Sequence, residues 1–452
     1  MSKKAVEINE SAIPNSDLEP KSSSLEYESR RDAIARRLRL KLDLRLVPYL
    51  ALLYLFNSLD RSNIGNARLA GLEADTHLEG NDFYSALSLF YAGYALSQVP
   101  NMFIFKKVTP SMLIGVTMVL WGVCSTSMAA ANNRAGLIAA RFFMGIFESG
   151  VGIGAPIVIS FFYMPNELAW RQALYFGSST FAGAFGGLIA YGVATHLANE
   201  QLAPWRLLFI IEGIPTIFLG ILSFFLLPNS PENLENWFVT PSEKQVAIER
   251  AQTGYNTDTS LLDKRQLIAA FTDYKNIFYC VIYIGVNVPL ASYQSFLPTI
   301  VKLMGYTNAK AQLMTVPPYA LGANYAGACL VAMGIYPIVP LMLSWVANNN
   351  IGHTKRAISL AMMNTCGQCF ATVGTQIFKD KTAPRFILGY SICIAFTGVM
   401  MIMSLALVLV LKHDNAARQS EFGNPRPLDD EEQREVINSG IYDRYKGFRY
   451  YI

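Results

Sequence analysis

Charge is what this sequence has least of. Only 15% of its 452 residues are Asp, Glu, Lys or Arg, against about 25% in ordinary soluble domains. A chain that is 52% hydrophobic cannot cover itself with so few charges in water. Histidine is scarce too: His77, His196, His353 and His413 are spread too widely for a metal site. The six cysteines (Cys124, Cys280, Cys329, Cys366, Cys369 and Cys393) all lie in or beside apolar runs. CGQC at 366–369 has redox spacing but sits inside such a run, so two small residues on a helix face is the better reading. No catalytic Ser–His–Asp pattern and no zinc spacing stand out, so neither an enzyme nor a cofactor is expected. A signal-peptide core is also missing, because residues 1–43 are polar and then basic. The net charge of +4 implies no nucleic-acid partner, since the basic residues cluster at span ends.

What the chain has instead is long apolar runs, such as SMLIGVTMVLWGVCSTSMAAA and FILGYSICIAFTGVMMIMSLALVLVL. Each approaches the roughly 20 residues that a helix needs to cross a bilayer core. An all-α polytopic membrane protein follows. Spans read at 45–66, 83–105, 110–131, 136–163, 172–196, 205–227, 275–302, 312–347, 356–378 and 385–411. The layout is a disordered cytosolic tail (1–43) ending in a basic helix, a six-helix bundle (44–227) and a cytosolic linker (228–274). A shortened second bundle (275–411) and a cytosolic tail (412–452) complete it. Two bundles joined by a linker is the plan of a secondary transporter. With both termini inside, 27 of the 37 Lys and Arg fall on the cytosolic side and ten in outer loops or near outer ends, in keeping with the positive-inside rule.

Residues 312–347 hold 36 residues and no charge. That is long for one span and short for two with a loop. One span, broken at Pro317–Pro318 or Pro337, keeps the charge bias, which gives about ten spans.

Asp60 and Arg61 stand side by side near the end of the first run. A charge at such depth costs about 2.5–3.5 kcal/mol even on the lenient insertion scale. At about 1.5 Å per residue, Asp60 and Arg141 come out at similar depth, with Glu148 near the midplane. Arg141, Gly145, Glu148 and Gly152 share one helix face. The residues alone leave two uses open: functional charges in an aqueous cavity, or ion pairs that cap and staple helices.

Several motifs narrow the choice. DRSNIGNA, RFFMGIFESG, FFYMPNELAWRQALYFG and WRLLFIIEGIPT in the first half, with SFLPTIVKLMGY, TVPPYALGA, LVAMGIYPIVP and AMMNTCGQ in the second, resemble the anion:cation symporter branch of the major facilitator superfamily, in its fungal allantoate and nicotinate permease group. The resemblance runs from about residue 43 to 412. It implies a major facilitator superfamily fold of two helical bundles and proton-coupled uptake of a small organic anion by alternating access. It makes Arg61 the carboxylate-binding residue and Asp60, Glu148 and Arg141 the proton-coupling group. Tyr94, Gln98, Thr180, Tyr293 and Asn364 become candidate substrate contacts, with Gln294, Ser344 and Trp345 weaker ones. The partners implied are the anion, protons and a lipid bilayer, with the chain a monomer in the plasma membrane. Where TVPPYALGA and LVAMGIYPIVP meet, near Ala323–Asn324, most of an eighth helix and the ninth are missing from the family pattern. A metabolite exporter, or a shortened non-transporting carrier or sensor, are the alternatives.

Overall fold

The computed structural model describes residues 22–105, 107–197, 202–234, 239–253, 264–303, 326–350, 353–379, 386–423 and 448–452. The junction near Ala323–Asn324 and the Pro317–Pro318 break lie outside these residues. Among the described residues there are thirteen α-helices, one short 3-10 turn and no strand. The first group comprises α1 (Ser22–Leu69), the single turn α2 (Leu72–Asp75), α3 (Asp82–Phe105), α4 (Pro110–Met128), α5 (Arg134–Phe162), α6 (Pro165–His196) and α7 (Pro204–Leu226). Two short helices, α8 (Pro241–Thr253) and α9 (Lys264–Phe271), follow within 228–274. The second group comprises α10 (Tyr274–Leu303), α11 (Ala326–Asn348), α12 (His353–Gln376) and α13 (Ile387–Phe422).

Helix starts are written into the sequence. Proline occupies the first turn of α4, α6 and α7, where its fixed φ suits a helix and its missing N–H is not needed. Asn133 caps α5 by accepting from the Gly136 N–H at 2.8 Å. Helix α1 starts well before the span read at 45–66 and carries the basic stretch with it.

Ten of the helices have at least 19 residues, and seven are long and apolar enough to cross a membrane. Buried polar side chains in α3 and α12, among them Gln98, Asn101, Gln368 and Thr375, lower the hydropathy of these two helices. Helix α13 shows which solvent surrounds the molecule. Ile394, Met401, Ile402, Leu405 and Leu409 are each more than half exposed, an apolar face too large for water and suited to lipid.

The face where α1 begins is here termed the near face, the opposite one the far face. In the first group α1 packs on α6 and α7, α3 on α5, and α4 on α5 and α7; in the second, α10 packs on α12 and α13. The two groups meet where α3 runs antiparallel to α12. Asn81 Nδ2 donates to Gln376 Oε1 at 3.4 Å near the far face. Thr365 Oγ1 donates to Gln98 Oε1 at 3.2 Å deeper in, and Met102 packs with Ile358 and Ala361 toward the near face.

Ionic contacts gather on the near face. Arg171 grips the Asp43 carboxylate at 2.6 and 2.8 Å, Glu167 accepts from Arg39 and Arg250, and Lys41 donates to Glu243 at 2.7 Å. These pairs tie α1, α6 and α8 together. Under the second group, Lys275 and Lys355 both meet Asp273 Oδ2, at 3.2 and 2.7 Å. Residues 448–452 dock against the same base. The Tyr450 ring lies 4.3 Å from the Lys275 ammonium, Tyr450 exchanges hydrogen bonds with the Asn415 amide, and Trp345 Nε1 donates to the Tyr451 carbonyl. Trp345, a candidate substrate contact by sequence, is therefore part of this base, because it falls in the last turn of α11.

Candidate functional site: a buried charge cluster in the first group

Adjacent residues on a helix point about 100° apart, so Asp60 and Arg61 serve different neighbours. Arg61 turns toward α5 and α3. Its Nε donates to Glu148 Oε1 at 3.1 Å, and its Nη2 closes on the same oxygen. Its guanidinium carbon lies 5.3, 5.9 and 5.4 Å from the ring centres of Phe90, Tyr91 and Tyr94, within cation–π range. Glu148 is fully buried, whereas 13% of the Arg61 side chain stays exposed. Arg61 is thus the charge that a solute can reach.

Asp60 turns the other way. It is fully buried and accepts from Ser125 Oγ of α4 at 2.7 Å and from Thr216 Oγ1 of α7 at 3.2 Å. Arg141 lies within electrostatic reach of Asp60, Glu148 and Glu212, and its guanidinium carbon is 5.9 Å from the Phe209 ring centre. Neither Nε nor Nη2 of Arg141 makes a hydrogen bond. The level shared by Asp60 and Arg141 in the sequence reading thus becomes proximity without direct bonding.

Close backbone approach makes the cluster possible. A Cβ on Gly145 would strike the Phe90 carbonyl oxygen, and one on Gly152 would strike the Tyr94 hydroxyl. These glycines let α3 press its aromatic face against α5, beside Arg61.

The remaining candidates divide. Tyr94 stands over Arg61 and faces Asn364 of α12, so both belong to the cluster's surroundings. Gln98 reaches α12 through Thr365, which makes it a link between groups. Thr180 is half-buried on α6 and makes no hydrogen bond to the cluster. Tyr293 is buried on α10. Cys366 lies beside Cys280 of α10 rather than paired with Cys369. Among the described residues no group of His, Cys, Asp and Glu could hold a metal ion.

Sequence reading missed several members. Asn57, one turn before Arg61, lies beside Glu148. Ser125 and Thr216 hold Asp60, and Tyr283 of α10 comes within the electrostatic field of Arg61. Glu212 is the largest omission. It is 1% exposed, and its signal was plain: a lone carboxylate inside the apolar run WRLLFIIEGIPT.

The profile of the Major Facilitator Superfamily matches residues 50–421, and the chain belongs to that superfamily. The MFS-type transporter efuF of Hormonema carpetanum is 33% identical over 432 residues, covering 85% of this chain and 87% of the relative. A high-affinity nicotinic acid transporter of Saccharomyces cerevisiae is 29% identical over 444 residues, covering 87% and 82%. Among solved structures, the crystal structure of a D-xylose-proton symporter matches with a TM-score of 0.55 at 14% identity, covering 80% of this chain and 96% of that one. That last likeness is one of fold. The chain is a multi-pass integral membrane protein of a transporter family.

Proposed function

We propose that this protein carries a small organic anion, a carboxylate, across the membrane together with protons by alternating access. The observation that carries the reading is the Arg61–Glu148 pair. A partly exposed guanidinium holds a buried carboxylate whose second oxygen, Oε2, makes no hydrogen bond. A substrate carboxylate can replace Glu148 on the planar guanidinium fork, but Glu148 then loses its counter-charge in a buried site. Protonation of Glu148 resolves the conflict. Anion and proton therefore bind together, and neither is comfortable alone.

Asp60 and Arg141 keep the remaining charges of the first group balanced while the site changes hands. Tyr94, Gln98, Thr180, Tyr293 and Asn364 are the polar contacts that would select the substrate. A nicotinic acid transporter among the relatives makes nicotinate the natural first probe of a carboxylate panel. The excess of Lys and Arg near the near face supports a cytosolic near face with both termini inside, and the plasma membrane is the proposed residence.

Purified protein in liposomes should accumulate labelled nicotinate, or another monocarboxylate of the panel, under an inward proton gradient. Accumulation should collapse with a protonophore. No proton-driven uptake of any carboxylate would sink the reading, and faster efflux than uptake under mirrored gradients would turn it toward export.

A further inference from the structure

The buried cluster holds more acid than base. Among the described residues, Asp60, Glu148 and Glu212 are set against two buried guanidinium groups, Arg61 and Arg141. Arg61 and Glu148 cancel each other through their ion pair. What remains is two carboxylates, Asp60 and Glu212, around one guanidinium, Arg141. Those two carboxylates are treated unequally. Asp60 accepts hydrogen bonds from Ser125 and Thr216. Glu212 accepts none at either oxygen.

A buried carboxylate with no donor costs several kcal/mol when ionised and far less when it carries a proton. The charged neighbours of Glu212 pull in opposite directions: the Asp60 carboxylate repels a charge there, and the Arg141 guanidinium attracts one but donates no hydrogen bond to it. Helix α1 faces it with Asp60 and α5 with Arg141, while Tyr49 of α1 meets α7 two turns away, at Leu219 and Ser223. Helix α4 contains no Asp, Glu, Lys, Arg or His and meets α7 through Gly122 and Thr126 at Gly213. Helix α6 meets it with Ala190 and Val193 at Leu208. Thr216, one turn beyond Glu212, fixes how closely α7 approaches α1: its hydroxyl lies 3.2 Å from Asp60 Oδ2 and 2.9 Å from the backbone carbonyl oxygen of Glu212.

We propose that Asp60 and Glu212 form a proton-sharing pair around Arg141, holding one proton and one negative charge between them. In the arrangement described, Asp60 has the charge and Glu212 the proton. When a proton arrives on Asp60, Arg141 has a second carboxylate to turn to, and its unbonded Nε and Nη2 are the donors that receive it. Glu212 then releases its proton as its oxygens take up those N–H groups. Glu212 is thereby a third proton-exchanging acid of the carrier. Only the anion-binding arm of the test rests on the function proposed above.

The test uses the full chain in lipid nanodiscs. In infrared difference spectra at neutral pH, the wild type should show the carbonyl band of a protonated buried carboxyl that Glu212→Gln lacks. Asp60→Asn should lose that same band, because Glu212 then takes the charge opposite Arg141. If Glu212→Gln does not fold, Glu212→Asp supplies the assignment by shifting the band. A wild type without the band, or an Asp60→Asn protein that keeps it, overturns the pair. In the second arm, proton uptake on nicotinate binding is followed with a pH indicator. Adding Glu212→Gln to Asp60→Asn should reduce it from about one proton per anion to about none, since an Arg141 freed of both acids then balances the Glu148 that the anion displaces from Arg61. Equal uptake by the single and double variants overturns the sharing. Should the wild type bind no carboxylate, the transport reading fails and the infrared arm still decides the pair.

Discussion

The two helical groups treat charge in opposite ways. In α1–α7 the acids and bases lie deep within helices, as Asp60, Arg61, Arg141, Glu148 and Glu212 do. Among the described residues of α10–α13, the polar side chains buried away from the base are neutral, as Asn287, Ser292, Gln294, Gln368 and Thr375 are. The buried charges of that group, Asp273, Lys275 and Lys355, sit at its near-face base. The difference has a physical reason. Buried ions need partners at fixed distance throughout a cycle, so they belong within one rigid bundle. Amides and hydroxyls tolerate a changing neighbour at lower cost, which would suit the moving wall of the proposed cycle.

The largest expected effect breaks the charged side of this contrast. Arg61→Ala leaves Glu148 buried and unpaired, at a cost of about 3–5 kcal/mol. Proton-driven nicotinate uptake should fall by at least about 100-fold, given about 1.4 kcal/mol per factor of ten. Uptake within a few-fold of wild type would mean that the pair is only structural. Next comes the neutral side. Gln368→Glu places a carboxylate where the second group has none, at about 2.5–3.5 kcal/mol on the insertion scale, and should visibly lower the melting temperature in detergent. An unchanged Tm would show that this group accommodates charge as well as the first.

A pair of glycines sharpens the comparison further. Gly145→Ala drives a methyl into the Phe90 carbonyl and should destabilise by about 1–3 kcal/mol. Gly398→Ala on α13 meets nothing within 4 Å and should stay within about 0.5 kcal/mol of wild type. Thermal unfolding of the two variants side by side checks both.

The smallest effect concerns the near-face ties. Burial raises the Glu243 carboxyl, but the Lys41 ammonium and the Thr240 N–H outweigh it and hold it below the usual range. A carboxyl lower in the folded than in the unfolded state adds stability that is complete above the unfolded value, about 4.3. That stability disappears as pH falls through the folded value. The protection of α8 amides against exchange, relative to their intrinsic rates at each pH, should therefore fall at acid pH. Lys41→Ala should remove most of that acid sensitivity, which for a partly exposed pair is worth about 0.2–1 kcal/mol.

Much of the first group was legible in sequence because the bilayer makes charge conspicuous. Asp60, Arg61, Arg141 and Glu148 stood out as ions inside apolar runs, and the structure brings all four together. Glu212 gave the same signal but was absorbed into a helix motif. Ser125 and Thr216 were not legible at all. A hydroxyl in a helix most often bonds its own carbonyl one turn back, as Thr216 also does, and only tertiary packing shows a second use. The partners of Arg61 on α3 were half legible: aromatic residues advertise packing, and no spacing tells which rings receive a cation. Trp345 misled because an indole in an apolar helix marks a cavity or a helix end equally well.

The docked segment 448–452 has a practical bearing on any attempt to watch this carrier at work. Tyr450 is wedged into the base, yet Ile452 is 55% exposed. A fluorescent label carried on residue 452 can therefore point away from the molecule, whereas removing residues 448–452 would strip the Tyr450 ring from Lys275 and alter the very protein being observed.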